Sequence, residues 1–369
     1  MNLRRIPSGC HLLIMMAAVT TAQSTSPAKS ATPVIFPGAT WDTIAPRAAG
    51  WSPSKLEDAR AFYSTLPAAS VIVVDHGRVV VQWGDPAQRI KISSMRKSLL
   101  SAMYGTHVKA GQLDLKKTLA QLGIDDDPPL TEQEKLATVR MLLEARSGVY
   151  HSYVAGTPDM RKDQPARGSH PAGTFWYYNN WDFNALGTIF EKQFHSKIGT
   201  EFQSKLADPL HMQDFRPEDM YYLRAGIDAP DDVKSIHAAY HFRMSARDLA
   251  RFGYLYLQAG NWNGAQIIPG DWIAESTHSY SDTGNGEGYG YLWWVKGFDL
   301  PVKSFSARGA LGKCVLVLPE RGLVIVYLNH TEFPDNAATM SAAELKELPT
   351  PTHAQMSHLF QLLLAAQKP

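Results

Sequence analysis

Apolar residues recur along the chain at two different periods, and each period predicts a different kind of element. Over residues 51–64, Leu56, Ala59 and Phe62 keep helical spacing, with Ser52 placed to cap and Pro53 in the first turn. The β-branched runs Val71-Ile-Val-Val and Val79-Val-Val-Gln-Trp83 flank His76-Gly77 and predict a hairpin with a two-residue turn. From Met95 the period changes: Met95, Leu99 and Met103 recur at i, i+4 and i+8, and residues 136–145, 183–190 and 246–257 also read as amphipathic helices. Strand runs return at 304–307, 314–318 and 323–328, the last two joined by the turn Pro319-Glu-Arg-Gly322. Residues 353–367 form a closing amphipathic helix.

Strands near both ends with helices between them predict an α/β chain. An antiparallel sheet lobe is expected from 47–93 and 285–369, with a mainly helical lobe inserted over 94–284 and a cleft where the lobes meet. Residues 23–46, rich in Ser, Thr, Ala and Pro, are expected to be a poorly ordered tether. Residues 1–22 read as a signal peptide, with Arg4 and Arg5 ahead of an apolar stretch and Thr20-Thr21-Ala22 as its cleavage site. That stretch is about half the length that spans a bilayer. The mature protein is therefore expected to be periplasmic or secreted, without a membrane span.

Composition narrows the function. Of the 369 residues 44% are hydrophobic and 19% charged, with a formal net charge of +1. That balance suits a globular protein and lacks the basic excess that nucleic-acid binding needs. Cleavage would remove Cys10, leaving Cys314 inside an apolar strand run, where a buried, inert thiol is expected. Neither His-Glu-x-x-His, Cys-x-x-Cys nor Gly-x-Ser-x-Gly occurs, so zincins, zinc ribbons and the nucleophile elbow have no anchor. Gly284-x-Gly286-x-Gly288-x-Gly290 has neither a strand before it nor a helix start after it, and reads as a cleft-edge loop. Asp125-Asp-Asp127, followed by two prolines, reads as a solvated loop, His76 as a turn residue, and His237 as structural or pocket-lining. No metal or organic cofactor is expected.

Ser-x-x-Lys occurs three times, at Ser26–Lys29, Ser52–Lys55 and Ser94–Lys97. About one match is expected by chance in such a chain. The first lies in the tether and the second at a helix cap. Only the third has a chemical setting. Ser93 is placed to cap, and Ser94-Met-Arg-Lys97 opens a helix whose positive end favours an alkoxide and a developing oxyanion. Lysine at i+3 lies on the same face and can take the serine proton if burial or a cationic neighbour lowers its pKa. Downstream, Tyr178-Asn179-Asn180 supplies a phenol, expected to be acidified by the lysine, to shuttle a proton, and Asn180 to hold substrate and the Lys97 amine. Tyr177 with Asn179 fits the same Tyr-x-Asn pattern.

These motifs resemble the serine β-lactamase and penicillin-binding-protein superfamily, in particular its class C-like branch of esterases, D-aminopeptidases and 6-aminohexanoate-dimer hydrolases. The resemblance runs from about residue 51 to 329. It includes Leu142-Leu-Glu-Ala-Arg-Ser-Gly148, Met244-Ser-Ala-Arg-Asp-Leu-Ala-Arg-Phe-Gly253 and Tyr289-Gly-Tyr-Leu-Trp-Trp294. It implies the β-lactamase/D,D-peptidase-like fold, with Ser94 as nucleophile, Lys97 as base, Tyr178 as proton shuttle, and the Ser94 and Ala310 amides as oxyanion donors. The family's strand motif Lys-Thr-Gly is replaced by Ala307-Arg308-Gly309. Gly309 keeps the close backbone approach, but Ala307 cannot grip a β-lactam carboxylate, and Arg308 should point to the other side of the strand.

The expectation is an exported serine hydrolase that cleaves a small ester or amide in preference to a β-lactam. The alternative is a binding or sensor protein that keeps the fold without turnover, which the missing strand lysine favours.

Overall fold

The computed structural model describes residues 34–284 and 286–368. The expected signal peptide and most of the expected tether lie outside these residues.

An eight-stranded antiparallel sheet carries the fold. Its strands include β1 (Ala68–Asp75), β2 (Arg78–Gly84), β11 (Phe305–Arg308), β12 (Cys314–Leu318) and β13 (Leu323–Asn329), together with the short β8 (Ser281–Asp282), β9 (Gly288–Tyr289) and β10 (Trp294–Val295). The order is β2-β1-β13-β12-β11-β10-β9-β8, so N-terminal strands pair directly with C-terminal ones. Every residue of β12 and β13 is buried, because both sheet faces are covered, and their runs are accordingly apolar at every position. Val324 and Val326 face one core while Leu323 and Ile325 face the other.

The second core is roofed by helices Pro53–Tyr63 and His353–Ala366. The first is closed by helix Ala246–Leu257, which can approach closely because Gly253 has no side chain: a Cβ there would lie 2.6 Å from Val324 Cγ1. The regular structure between the sheet's two halves is mainly helical, including Arg96–Lys109 and Asn180–Phe194.

Four expectations are corrected. Strand character is not confined to the sheet lobe: β3 (Ile90–Lys91), β4 (Met220–Leu223) and β5 (Ala239–Met244) form a second sheet in the order β3-β5-β4, and Asn261–Trp262 (β6) pairs with Ala265–Gln266 (β7). The 136–145 helix shrinks to Val139–Leu143, because Ala145 adopts φ 56° and turns the chain into Arg146-Ser147-Gly148. The last residues of the expected tether are packed: Tyr254 OH donates to Ile35 O at 2.8 Å, and Trp41 Nε1 donates to Arg247 O at 3.0 Å. A strand does precede the glycine-rich segment: β8 pairs with β9, which holds Gly288.

Candidate active site

Ser94 sits in a 3₁₀ turn, Ser93–Met95, that feeds directly into helix Arg96–Lys109. Ser93 does not cap that helix. It adopts φ 52°, and its buried hydroxyl has no hydrogen-bond partner. This left-handed residue lies where the chain leaves β3 for the helix, and strain of this kind concentrates at functional sites. The end of β11 passes so close that a Cβ on Gly309 would lie 2.3 Å from Ile92 O. Glycine is therefore the residue that fits, and the next residue, Ala310, lines the same cleft as Ser94.

The Lys97 Nζ lies 2.7 Å from Ser94 Oγ and 2.7 Å from the Tyr178 hydroxyl. The amine also sits over the Tyr178 and Phe183 rings, at 4.5 and 4.6 Å from their centroids. Trp294 stacks on Tyr178 with centroids 5.6 Å apart and holds the phenol in place. Tyr177 instead turns away, its hydroxyl donating to Met160 O at 3.0 Å. Of the two tyrosines that fit the Tyr-x-Asn pattern, it is Tyr178 that contacts Lys97. Asn179 is a helix cap: its side chain accepts from Trp181 N at 3.2 Å and donates to Val149 O at 2.6 Å.

Burial, and then the Arg96 guanidinium, hold the Lys97 amine well below its ordinary pKa. The Tyr178 phenol is not acidified, as had been expected. Burial pushes it up to about 12, against smaller opposing effects of the Ser94 hydrogen bond and Arg96. A lysine whose own pKa is lowered offers the phenol less positive charge, so desolvation wins. Asn180 also departs from expectation. Its Nδ2 reaches only Met160 Sδ, at 3.9 Å, and its buried Oδ1 has no partner; among the described residues no hydrogen bond joins it to Lys97. It does line the cleft.

The cleft is walled by two features that the sequence reading missed. His241 on β5 is buried, faces the cleft, and among the described residues neither ring nitrogen has a partner. Burial and the cations Arg96, Lys91 and Lys97 hold it well below the ordinary imidazole range. The other wall is a strap, residues 331–338, tied down by Lys91, which pairs with Asp335 and donates to Phe333 O at 2.9 Å. Lys313 Nζ holds its start through Thr331 O at 2.8 Å. The alternation Tyr240-His241-Phe242-Arg243-Met244 is the period of a strand with one apolar face, and would have placed His241 opposite the core.

The remaining candidates fall outside the cleft. Arg308 lies on the far face of β11, pairs with Glu287, and stacks over Phe298 at 4.2 Å. His237 is structural, with Nδ1 3.0 Å from Thr188 Oγ1. The Cys314 thiol is buried and raised to about 12, which suits an inert thiol. Asp126, read as solvated, is buried.

A sequence model of the Beta-lactamase family matches residues 55–348. The chain belongs to that family. It is a family of β-lactamase-like serine hydrolases that also includes non-catalytic members, and the fold implied by the motifs is the one observed. This beta-lactamase-family chain shares the fold of a Bacillus anthracis protein provisionally named a 6-aminohexanoate-dimer hydrolase. The TM-score is 0.64 and the identity 18%, with 88% of this chain and 87% of that one covered. A penicillin-binding-protein homologue from Caulobacter crescentus superposes with a TM-score of 0.57 at 17% identity, over 80% and 98% of the two chains. A β-lactamase from Mycobacterium bovis gives 0.53 at 20% identity, over 84% and 100%. In sequence, an uncharacterized protein of Alkalihalophilus pseudofirmus is 34% identical over 95 residues, a match spanning 22% of this chain and only 28% of that relative.

Proposed function

We propose that the protein is an exported serine hydrolase that cleaves a small ester or amide through an acyl-enzyme on Ser94. The observation that carries this reading is the continuous chain Ser94 Oγ, Lys97 Nζ and Tyr178 OH, both links 2.7 Å. Lys97, held toward its neutral form, accepts the Ser94 proton as Oγ bonds to the substrate carbonyl. Tyr178, held protonated, passes a proton to the departing alcohol or amine as the C–O or C–N bond breaks. Water then attacks the acyl carbon, its proton returns through the same pair, and Ser94 is regenerated. The Ser94 and Ala310 amides, at the helix start and the cleft edge, are assigned to the oxyanion.

Esters and neutral amides are favoured over β-lactams because Ala307 offers no cation at the strand position. Export rests on the pattern of residues 1–22, and N-terminal sequencing of protein recovered outside the cytoplasm should begin just after Ala22.

Activity profiling decides the central claim. A fluorophosphonate should label Ser94, and Ser94→Ala should abolish both labelling and turnover of an ester panel. Labelling without turnover of any ester, amide or β-lactam would favour the non-catalytic binding protein instead.

A further inference from the structure

Arg96 and Lys97 are consecutive residues, and each is only 2% exposed. Two cations buried side by side are costly unless a counter-charge meets them. Among the described residues neither forms an ion pair. Arg96 Nη2 donates to the neutral Asn184 Oδ1 at 3.2 Å, its guanidinium lies over the Tyr240 ring at 4.3 Å, and Nη1 has no partner.

The groups around the Arg96–Lys97 pair and Tyr178 leave this charge uncompensated. Tyr178 approaches ahead of helix Asn180–Phe194, Tyr240 and His241 come from β5, Tyr289 from β9, and Lys91 from β3. Burial keeps the three phenols protonated and His241 neutral. The two carboxylic acids nearby are otherwise engaged. Asp182, in the first turn of that helix, has its carboxyl raised well above the ordinary carboxylate range by burial, and it accepts from Ser147 and Asn179. Asp335 pairs with Lys91. On the strand side, Ala307 supplies no charge.

We propose that Arg96 is a positioning residue for the reaction: its buried, unpaired guanidinium sets the protonation state of the Lys97 amine and keeps that amine free to accept the Ser94 proton. This inference rests on the proposed roles of Ser94 and Lys97. An arginine suits the task because it does not lose its own proton in a protein interior, whereas a second buried lysine can. The direction of the Lys97 shift, in which Arg96 is the contributor after burial, agrees.

The test is the rate of Ser94 labelling by a fluorophosphonate as a function of pH, which needs no knowledge of the substrate. Arg96→Gln should move the acid limb of that profile upward by about one pH unit or more, the scale of a close charge. Arg96→Lys should move it less. Asn184→Asp leaves Arg96 in place but gives it a carboxylate at the same position, and should move the limb in the same direction as Arg96→Gln. A purely structural role would lower thermal stability and leave the limb where it was. An unmoved limb in both Arg96→Gln and Asn184→Asp overturns the inference while the hydrolase reading stands. If Arg96→Gln does not fold, Asn184→Asp decides by the same criterion. Failure of the wild-type protein to label at Ser94 removes the hydrolase reading, and this inference with it.

Discussion

The Trp181 indole donates to the Asp126 carboxylate at 2.5 Å, across 55 residues of sequence. Trp181 follows the Tyr178-Asn-Asn run, so this buried contact pins the start of the helix beside the reacting groups. The same carboxylate accepts from Ser235 Oγ and Ile236 N, each at 2.8 Å. Asp126→Ala would strand these three donors and Asp127 N, which also donates to this carboxylate, at about 1–3 kcal/mol each. We expect it to cost about 3 kcal/mol or more, read as the urea midpoint, and Asp126→Asn to cost less because one carbonyl acceptor survives. A loss within experimental error for Asp126→Ala would show that water satisfies these groups.

The proposed acid–base pair gives the second prediction. Lys97→Ala and Tyr178→Phe should each lower kcat by about 10² or more, the usual scale for losing a general acid or base. Tyr177→Phe should be near neutral, since that hydroxyl donates to Met160 O and lies away from Lys97. Steady-state kinetics on whichever ester the panel selects would check this. A damaging Tyr177→Phe with a harmless Tyr178→Phe would contradict the geometry of the site.

His241 predicts a pH dependence of stability. Its folded-state pKa is held well below the ordinary imidazole value by burial and then by Arg96, Lys91 and Lys97. Above about pH 6.5 both the folded and unfolded states carry it neutral, and its contribution to stability is fully present. As the pH falls below that value, the unfolded chain takes up a proton that the folded chain refuses, and stability is lost. His241→Asn removes this term. Its Tm should therefore fall less than that of the wild type between about pH 7.5 and pH 5.5. Equal falls would show that the imidazole titrates as freely in the fold as out of it.

Much of this was legible along the chain because the signals are local. Strand β12 and helix Ala246–Leu257 occupy the spans that their apolar patterns indicate. The i+3 spacing of Ser94 and Lys97 is a property of one helical turn, and their contact is observed. The rest depends on long-range packing. Strand β3 has two residues and exists only because β5 pairs with it. Ser93 could not be foreseen at φ 52°, because that conformation is imposed by the junction between sheet and helix. The buried setting of Asp126 comes from a tryptophan and a loop far away in sequence. The Tyr178 shift was misjudged in sign because desolvation is invisible in a sequence.

The last prediction concerns substrate class and turns on Ala307. Its side chain faces the core that also holds Val315 and Val326, the face on which helix Ala246–Leu257 packs. Arg308, the next residue, lies on the opposite face and is held by both oxygens of Glu287, so it cannot stand in. A carboxylate-bearing β-lactam thus lacks a partner at this strand position, and a hydrogen bond to a charged group contributes about 1.5–3 kcal/mol, or roughly ten- to a hundredfold in recognition. Neutral substrates forfeit nothing there. We therefore expect kcat/KM for p-nitrophenyl butyrate to exceed that for nitrocefin. Ala307→Lys should raise nitrocefin acylation only modestly, because the new ammonium must be desolvated in a buried position, and should lower Tm for the same reason. Efficient nitrocefin hydrolysis by the unaltered protein would mean that a cation of the cleft wall, Arg96 or Lys91, meets the carboxylate. Loss of nitrocefin turnover in Lys91→Gln, with p-nitrophenyl butyrate turnover kept, would then identify Lys91 as that cation.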